Sequence, residues 1–456
     1  MKAVPEKKLE SREGGRGAGP RLVLLLMASV TVLNVMDRQL LAILIDPIKA
    51  DLGVSDAAMG LLSGTSFALL HVAASFPIAV WADRGVRRSI IALGLATWSG
   101  LTVLTGFARS FGELFVIRVG VGVGEATGGG PPQSLLSDAF PPERRATALS
   151  ILVMGGPLGS MVAFGAGGWL GETIGWRAAF IVFGAPGLLL ALAIRFLVKE
   201  PRRGAFDRPI TATLDGEDGG EGSDELEKVS VADSIRFLLR VPSIRSFVLA
   251  SGLNTVGIYA ILVWSVPYLS RVHALPGSAA GVRLAIASGL FTALGTLAGG
   301  RLADRLAARD MRWLAWMPAC SSALVFPFGL AFAFAGSGDL ASLLLAPASF
   351  MAGMQFSPIF SAVQTLAAPQ MRALAASSIT AINTILGLGL APPLVGYLND
   401  RWASSLGTDA IRYSLALMMA THLGAALLLL YSGLHVRKDL DARRRFLEGE
   451  GRGRAT

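Results

Sequence analysis

The sequence predicts an all-α integral membrane protein: twelve transmembrane helices in two six-helix halves. Three observations carry this. The 456 residues are 52% hydrophobic and only 16% charged, with a mean hydropathy of +0.56, whereas soluble domains are about 25% charged. Uncharged, mostly apolar residues come in runs such as 149–170, 340–360 and 377–398, each long enough to cross a bilayer core as a helix. Finally, the charged turn Trp81-Ala-Asp83-Arg84-Gly-Val-Arg87-Arg88 has a relative, Arg301-Leu-Ala-Asp304-Arg305-Leu-Ala-Ala-Arg309, in the second half of the chain. A repeat at half-chain distance between apolar runs reads as two homologous halves. The alternation of a β-barrel is absent, so helices are the spanning structure that satisfies the backbone in lipid.

Residues 1–21 are polar and glycine-rich and read as a disordered cytoplasmic N-terminus. The N-terminal half, 22–199, holds spans near 22–45, 57–81, 89–108, 112–136, 147–169 and 177–198. The first run continues past Asp37 and Arg38 without a small-residue cleavage site, so it is read as an uncleaved span. A cytoplasmic linker, 200–245, follows. Its Asp215-Gly-Glu217-Asp218-Gly-Gly-Glu221 stretch is charged and apolar-poor, as in flexible chain. At its end Val231, Ile235, Leu238 and Leu239 share a helical face opposite Asp233, Arg236 and Arg240, the pattern of an interfacial amphipathic helix. The second half, 246–436, holds spans near 246–269, 281–302, 313–335, 340–365, 374–398 and 411–435. A basic cytoplasmic tail, 437–456, closes the chain.

The net charge is +9. Placement, not sum, explains it: with both termini in the cytoplasm, about 31 of the 41 Lys and Arg lie on the cytoplasmic side. That orients a multi-pass protein in the inner (plasma) membrane and leaves no reason to invoke nucleic acid. Arg87-Arg88 and Arg443-Arg444-Arg445 also suit anionic lipid heads. Cys320 is the one cysteine, so no intrachain disulfide forms. There is no His-Glu-x-x-His motif, no nucleophile–base pair at short spacing and no phosphate-binding loop. An enzyme and an ATP-driven pump are therefore not expected, nor a metal or cofactor. Gly120-x-Gly122-x-Gly124 reads as close helix packing.

Charges inside spans are costly and mark function. Asn34-x-x-Asp37-Arg38 lies in the first span, Arg118 and Glu125 in the fourth. Adjacent side chains diverge by about 100° on a helix, so Asp37 and Arg38 reach different partners. Arg118 and Glu125, seven apart, share a face. Asp37 and Glu125 are candidate proton acceptors, since burial penalises a carboxylate's charge and a neighbouring arginine favours it. The alternative is a structural ion pair. Arg38, Arg118, Asn254, Trp264, Gln355 and Asn383 are candidate substrate-cavity residues, with Tyr268 and Gln364 as further polar groups in the second half. An apolar second-half wall facing a charged first-half wall suits an amphiphile, head by Arg38 and tail along apolar residues. His71 and His422 are lone span histidines, read as structural or as titratable groups. Asp83, Arg84, Arg87, Arg88, Asp304 and Arg305 are candidate cytoplasmic gate residues, because an acid at a helix end pairs with arginine or caps a neighbouring helix. Pro131-Pro132 beside Gly128-Gly129-Gly130, Pro392-Pro393, and Gly155-Gly156-Pro157-Leu158-Gly159 predict helix bends.

Six plus six spans with a central linker resemble the Major Facilitator Superfamily, and the charged turns resemble its Gly-x-x-x-Asp-Arg-x-Gly-Arg-Arg signature. The second copy keeps Gly300, Asp304 and Arg305 but has Ala307; the first has Ala79 and Val86 where the signature has glycine. Within that superfamily, several stretches resemble the Spinster family. These are Arg118-Val-Gly-Val-Gly-Val-Gly-Glu125-Ala126, Ser137-Asp138-Ala-Phe-Pro-Pro-Glu-Arg144-Arg145-Ala146, Asn34-x-x-Asp37-Arg38, Trp98-Ser99-Gly-Leu-Thr102 and Gly175-Trp176-Arg177. The resemblance implies a proton-coupled, alternating-access transporter of lysophospholipids or sphingoid lipids, monomeric, with Asp37, Arg38 and Glu125 as its proton-responsive cluster. An organic-anion or sugar symporter, or a drug exporter, keeps the fold and changes the cargo. A receptor or scaffold is the non-transporter alternative, with no use for repeated gate turns or buried charges.

Overall fold

The computed structural model describes residues 19–203, 241–367 and 372–453, and every element among them is helical. The N-terminal segment up to residue 18, most of the linker with its expected amphipathic helix, and the Arg443–Arg445 side chains lie outside the described residues.

The first half contains α1 (Pro20–Ile43), α2 (Asp56–Arg84), α3 (Arg87–Thr105), α4 (Phe111–Glu125, then Gly130–Ala139), α5 (Pro142–Thr173) and α6 (Gly175–Leu197). The second half contains α7 (Pro242–His273), α8 (Gly277–Ala307), α9 (Trp313–Ala333) and α10 (Gly338–Leu366). It ends with α11 (Arg372–Ile382 through Ala391–Leu406) and α12 (Ala410–Met419, then Thr421–Gly453). A short helix, Ile45–Leu52, links α1 to α2 and ends on Gly53 at φ 62°, a left-handed turn open to glycine. Ser55, Ser110 and Ser337 hydroxyls cap the starts of α2, α4 and α10.

The helices break where the sequence weakens backbone bonding. α4 passes through a 3₁₀ turn at Ala126–Gly128, immediately before Pro131-Pro132. α11 carries a π-helical stretch, Asn383–Leu390, just before Pro392-Pro393. α8 carries another, Ala285–Leu290, which has no proline signal.

The apolar cores show how the halves sit. At the face away from the chain termini, here the distal face, one core joins both halves, with Leu40, Ile43, Trp264, Leu284 and Val395 among its members. Toward the terminal face the core divides. One part holds Met27, Ile91, Trp98 and Ile194 of the first half, with Leu388 as its second-half member. The other belongs wholly to the second half, around Phe247, Leu314, Ile359 and Leu429. The halves are thus packed together distally and parted at the terminal face. The distal crossings are tight: a methyl group at Gly60 or Gly396 would collide with backbone across the α2–α11 contact, and one at Gly281 would do so across α5–α8.

Candidate functional site

Four charged side chains meet between α1 and α4. Asp37 Oδ1 accepts a hydrogen bond from Thr102 Oγ1 at 2.7 Å, and Asp37 Oδ2 lies 3.2 Å from Arg118 Nη1. Arg38 turns the other way. Its Nε is 2.9 Å from Glu125 Oε2, and its guanidinium donates to Asn34 Oδ1. Asn34 Nδ2 in turn donates to the Glu125 carbonyl at 3.4 Å. Both guanidinium groups face the buried Phe67 ring, at 5.2 Å for Arg38 and 5.9 Å for Arg118. Close packing makes this possible: Gly124 leaves no room for a side chain against Trp98 of α3, so α4 approaches α3 closely.

The two pairs differ in character. Asp37–Arg118 is sealed, with side-chain exposures of 5% and 1%. Arg38–Glu125 is asymmetric: the Glu125 side chain is fully buried and neither carboxylate oxygen makes a hydrogen bond, while the Arg38 side chain is 24% exposed. Arg38 is therefore the member of the cluster that can meet a ligand.

Several residues expected at a cavity have protein partners in this structure. Arg118 is consumed by Asp37. Trp264 is buried, its Nε1 donating to the Pro392 carbonyl of α11 at 3.0 Å. Gln355 is buried and accepts from Ser322 at 2.6 Å, and Asn254 is buried against His422. Each has one protein partner, while Arg118 Nε, Asn254 Nδ2 and Gln355 Nε2 are buried with no hydrogen bond among the described residues. Asn383 is half-buried and accepts from Ser251 at 2.8 Å. His71 Nδ1 lies 3.1 Å from the Gly122 carbonyl, and its ring stacks on Phe67.

The charged turns are equally informative. Asp83, Arg84, Asp304 and Arg305 are exposed, and neither acid makes an ion pair among the described residues. Arg87 is buried and holds Asp138 of the first half at 2.5 Å and Glu200, where the linker begins, at 2.8 Å. The Arg88 backbone N–H donates to Glu200 at 2.9 Å. Among the described residues these six make no hydrogen bond or ion pair across the halves.

The ionic closure lies at the distal face, in residues the sequence did not single out. Arg271, at the end of α7, grips Asp56 with two bonds, at 2.5 and 3.0 Å, and Asp46 at 2.6 Å. Lys49 Nζ is 2.6 Å from Asp56, and Asn399 Nδ2 donates to it at 3.1 Å. Two carboxylates also cap helices across the divide. Asp400 of α11 accepts from the Asp56 and Ala57 N–H groups that open α2, at 3.0 and 2.7 Å. Glu172 of α5 accepts from the Ser278 N–H that opens α8, at 2.9 Å. α5 corresponds to α11 and α2 to α8 in the internal repeat, so the α5–α8 and α11–α2 contacts are equivalent to each other and the latch follows the repeat. The contacts between the halves span 106 to 344 residues and leave no local sequence signal; charged residues at non-basic span ends were the available hint.

Comparison with known proteins agrees with this architecture. The sequence profile of the Major Facilitator Superfamily matches residues 27–392. An MFS-type efflux pump of Mycolicibacterium smegmatis is 32% identical over 86% of this chain and 88% of the pump. Protein spinster homolog 1 of Mus musculus is 26% identical over 89% of this chain and 78% of its own. Among solved structures, a bacterial homolog of the human lysosomal transporter Spinster, inward-facing and unoccupied, superposes with a TM-score of 0.81. It is 27% identical and covers 92% of this chain and 98% of its own.

Proposed function

Because the chain belongs to the Major Facilitator Superfamily, we propose that it is a proton-coupled secondary transporter that moves lysophospholipid or sphingoid-type amphiphiles by alternating access. The observation that carries this reading is the Arg38–Glu125 pair. A fully buried carboxylate without a hydrogen bond and with one arginine at 2.9 Å is costly to keep charged unless that arginine stays. Proton uptake on Glu125 removes the charge and releases Arg38, which is partly exposed already. Release loosens α1 from α4 and frees a cation for an anionic head group. Asp37 and Arg118 hold the same two helices beside this pair.

Both termini lie in the cytoplasm in this reading, and the protein sits in the inner membrane, so the parted face opens inward and the ionic latch closes the outside. Return to the outward state breaks the Arg271 network and brings Asp83 and Asp304 into cross-half contacts. An apolar cavity of ≈ 200 Å³ bordered by Ile258, Ile261, Leu262 and Val325 supports an amphiphilic cargo, because it accepts part of an alkyl chain while Arg38 takes the head.

The test is saturable binding of a lysophospholipid to the purified protein between about pH 5.5 and about pH 8, a range spanning raised carboxylate values. Binding whose pH dependence disappears in an Asp37→Asn/Glu125→Gln double variant supports the reading; no binding at any pH refutes the lipid cargo. Export of another organic molecule is the second reading, favoured by the 32% identity to the efflux pump.

A further inference from the structure

The cavity of ≈ 200 Å³ lies inside the second half, among α7, α8, α9, α10 and α12, with Pro157 and Ser160 of α5 closing one side. Its lining is apolar or small, with serine and threonine hydroxyls and one ring nitrogen pair, that of His422. His422 is 1% exposed. Its Nδ1 lies 2.8 Å from Asn254 Oδ1. With the amide in this orientation its oxygen only accepts, so Nδ1 carries the proton and Nε2 presents a bare lone pair. Among the described residues nothing bonds Nε2. The ring fits there because Gly257 has no side chain: a methyl group at that position would collide with Nε2 and Cδ2. The α8 wall of the cavity is the π-helical stretch at Ser288 and Gly289, and such stretches gather at functional sites. A buried acceptor facing an apolar space is expensive unless something donates to it. Cavities of roughly 150 Å³ hold a benzene-sized molecule, so this one takes a ring or a short alkyl segment, not a whole lipid.

We infer that the cavity is a donor-selective subsite, in which His422 Nε2 accepts a hydrogen bond from a hydroxyl or amine carried on an otherwise apolar ligand segment. The Asn254–His422 pair fixes the tautomer, Gly257 makes room for the ring, and the α8 wall shapes the space. That the subsite serves the cargo rests on the transport reading above; it then narrows the cargo to amphiphiles with a hydroxyl or amine donor next to the apolar part, and ether-capped analogues are disfavoured.

The test uses the full chain in nanodiscs, labelled with ¹⁵N-histidine, with phenol as the donor probe and toluene as its donor-free match. The chain has four histidines, and His422→Gln assigns the relevant signal. The expected result is that phenol shifts the His422 Nε2 resonance saturably and binds about tenfold more tightly than toluene, one hydrogen bond's worth. His422→Phe brings the two probes to equal affinity. Ser288→Leu fills the cavity from the opposite wall without touching the imidazole, and it removes binding of both; this variant decides the matter if His422→Phe does not fold. Equal affinities in the wild type, an unmoved Nε2 resonance, or binding that survives Ser288→Leu overturns the inference. If phenol binds as expected while lysophospholipid binding is absent, the subsite stands and the lipid reading falls.

Discussion

Arg271→Gln should open the distal face. In the structure the Arg271 guanidinium joins Asp46 and Asp56 of the first half to α7 of the second, bridging the halves across the closed distal face. Removing one partner of a buried ion pair costs about 3–5 kcal/mol. The discount here is set by two facts: Arg271 is 20% exposed, and Asp56 keeps Lys49 and Asn399. About 2 kcal/mol remains as the loss specific to the closed state, which shifts the closed-to-open ratio roughly 30-fold. The assay is a spin-label distance measurement on a Cys320→Ser background with labels at Arg109→Cys and Ser404→Cys, exposed sites on opposite halves. The variant should gain a longer-distance population that the wild type lacks, and Arg271→Lys, which keeps charge but loses the two-pronged grip, should fall between. An unchanged distance distribution in a folded Arg271→Gln protein would refute the assignment of this network as the closure.

Other consequences concern different parts of the molecule. Asp37→Asn leaves Arg118, 1% exposed, without its counter-charge; thermal unfolding in detergent should show a loss of about 3–5 kcal/mol, with Asp37→Asn/Arg118→Met recovering part of it. Gly281→Ala places a methyl group against the Phe164 carbonyl, so the same spin-label pair should report more open distal face than wild type while α5 and α8 remain helical by circular dichroism. Asp310, in the exposed turn between α8 and α9, is held below the usual carboxyl range by the Arg312 backbone N–H and by Arg437 of α12. Its contact with Arg437 is complete above the ordinary carboxyl value and is lost as pH falls through the lowered one; hydrogen exchange around Arg437 should quicken only in that acid window and with added salt.

The architecture was legible because lipid imposes a strong pattern. Runs of about 20 apolar residues and a repeated charged turn were enough for twelve segments in two halves. The α4 break at Ala126–Gly128 and the α11 irregularity were foreshadowed by Pro131-Pro132 and Pro392-Pro393. The α8 π-helix was not, because no residue there forbids a regular helix. The Asp37/Arg38 divergence followed from helical geometry, and the structure gives each a separate partner on α4. What stayed hidden was pairing at long range. Arg118, Asn254, Trp264 and Gln355 read as ligand-facing because polar groups in a span need partners; nothing in one sequence tells whether the partner is cargo or the neighbouring helix. The Arg271 latch was hidden for the same reason, since its partners Asp46 and Asp56 lie more than 200 residues away in the other half.

Flux in proteoliposomes tests the central claim most directly: uptake of a lysophospholipid under an imposed pH gradient, wild type against Glu125→Gln. The account predicts flux driven by the gradient in the wild type and, in the variant, gradient-driven accumulation lost while exchange at equal pH persists, because neutral glutamine mimics the protonated carboxyl. Gradient-driven accumulation that survives Glu125→Gln would contradict it.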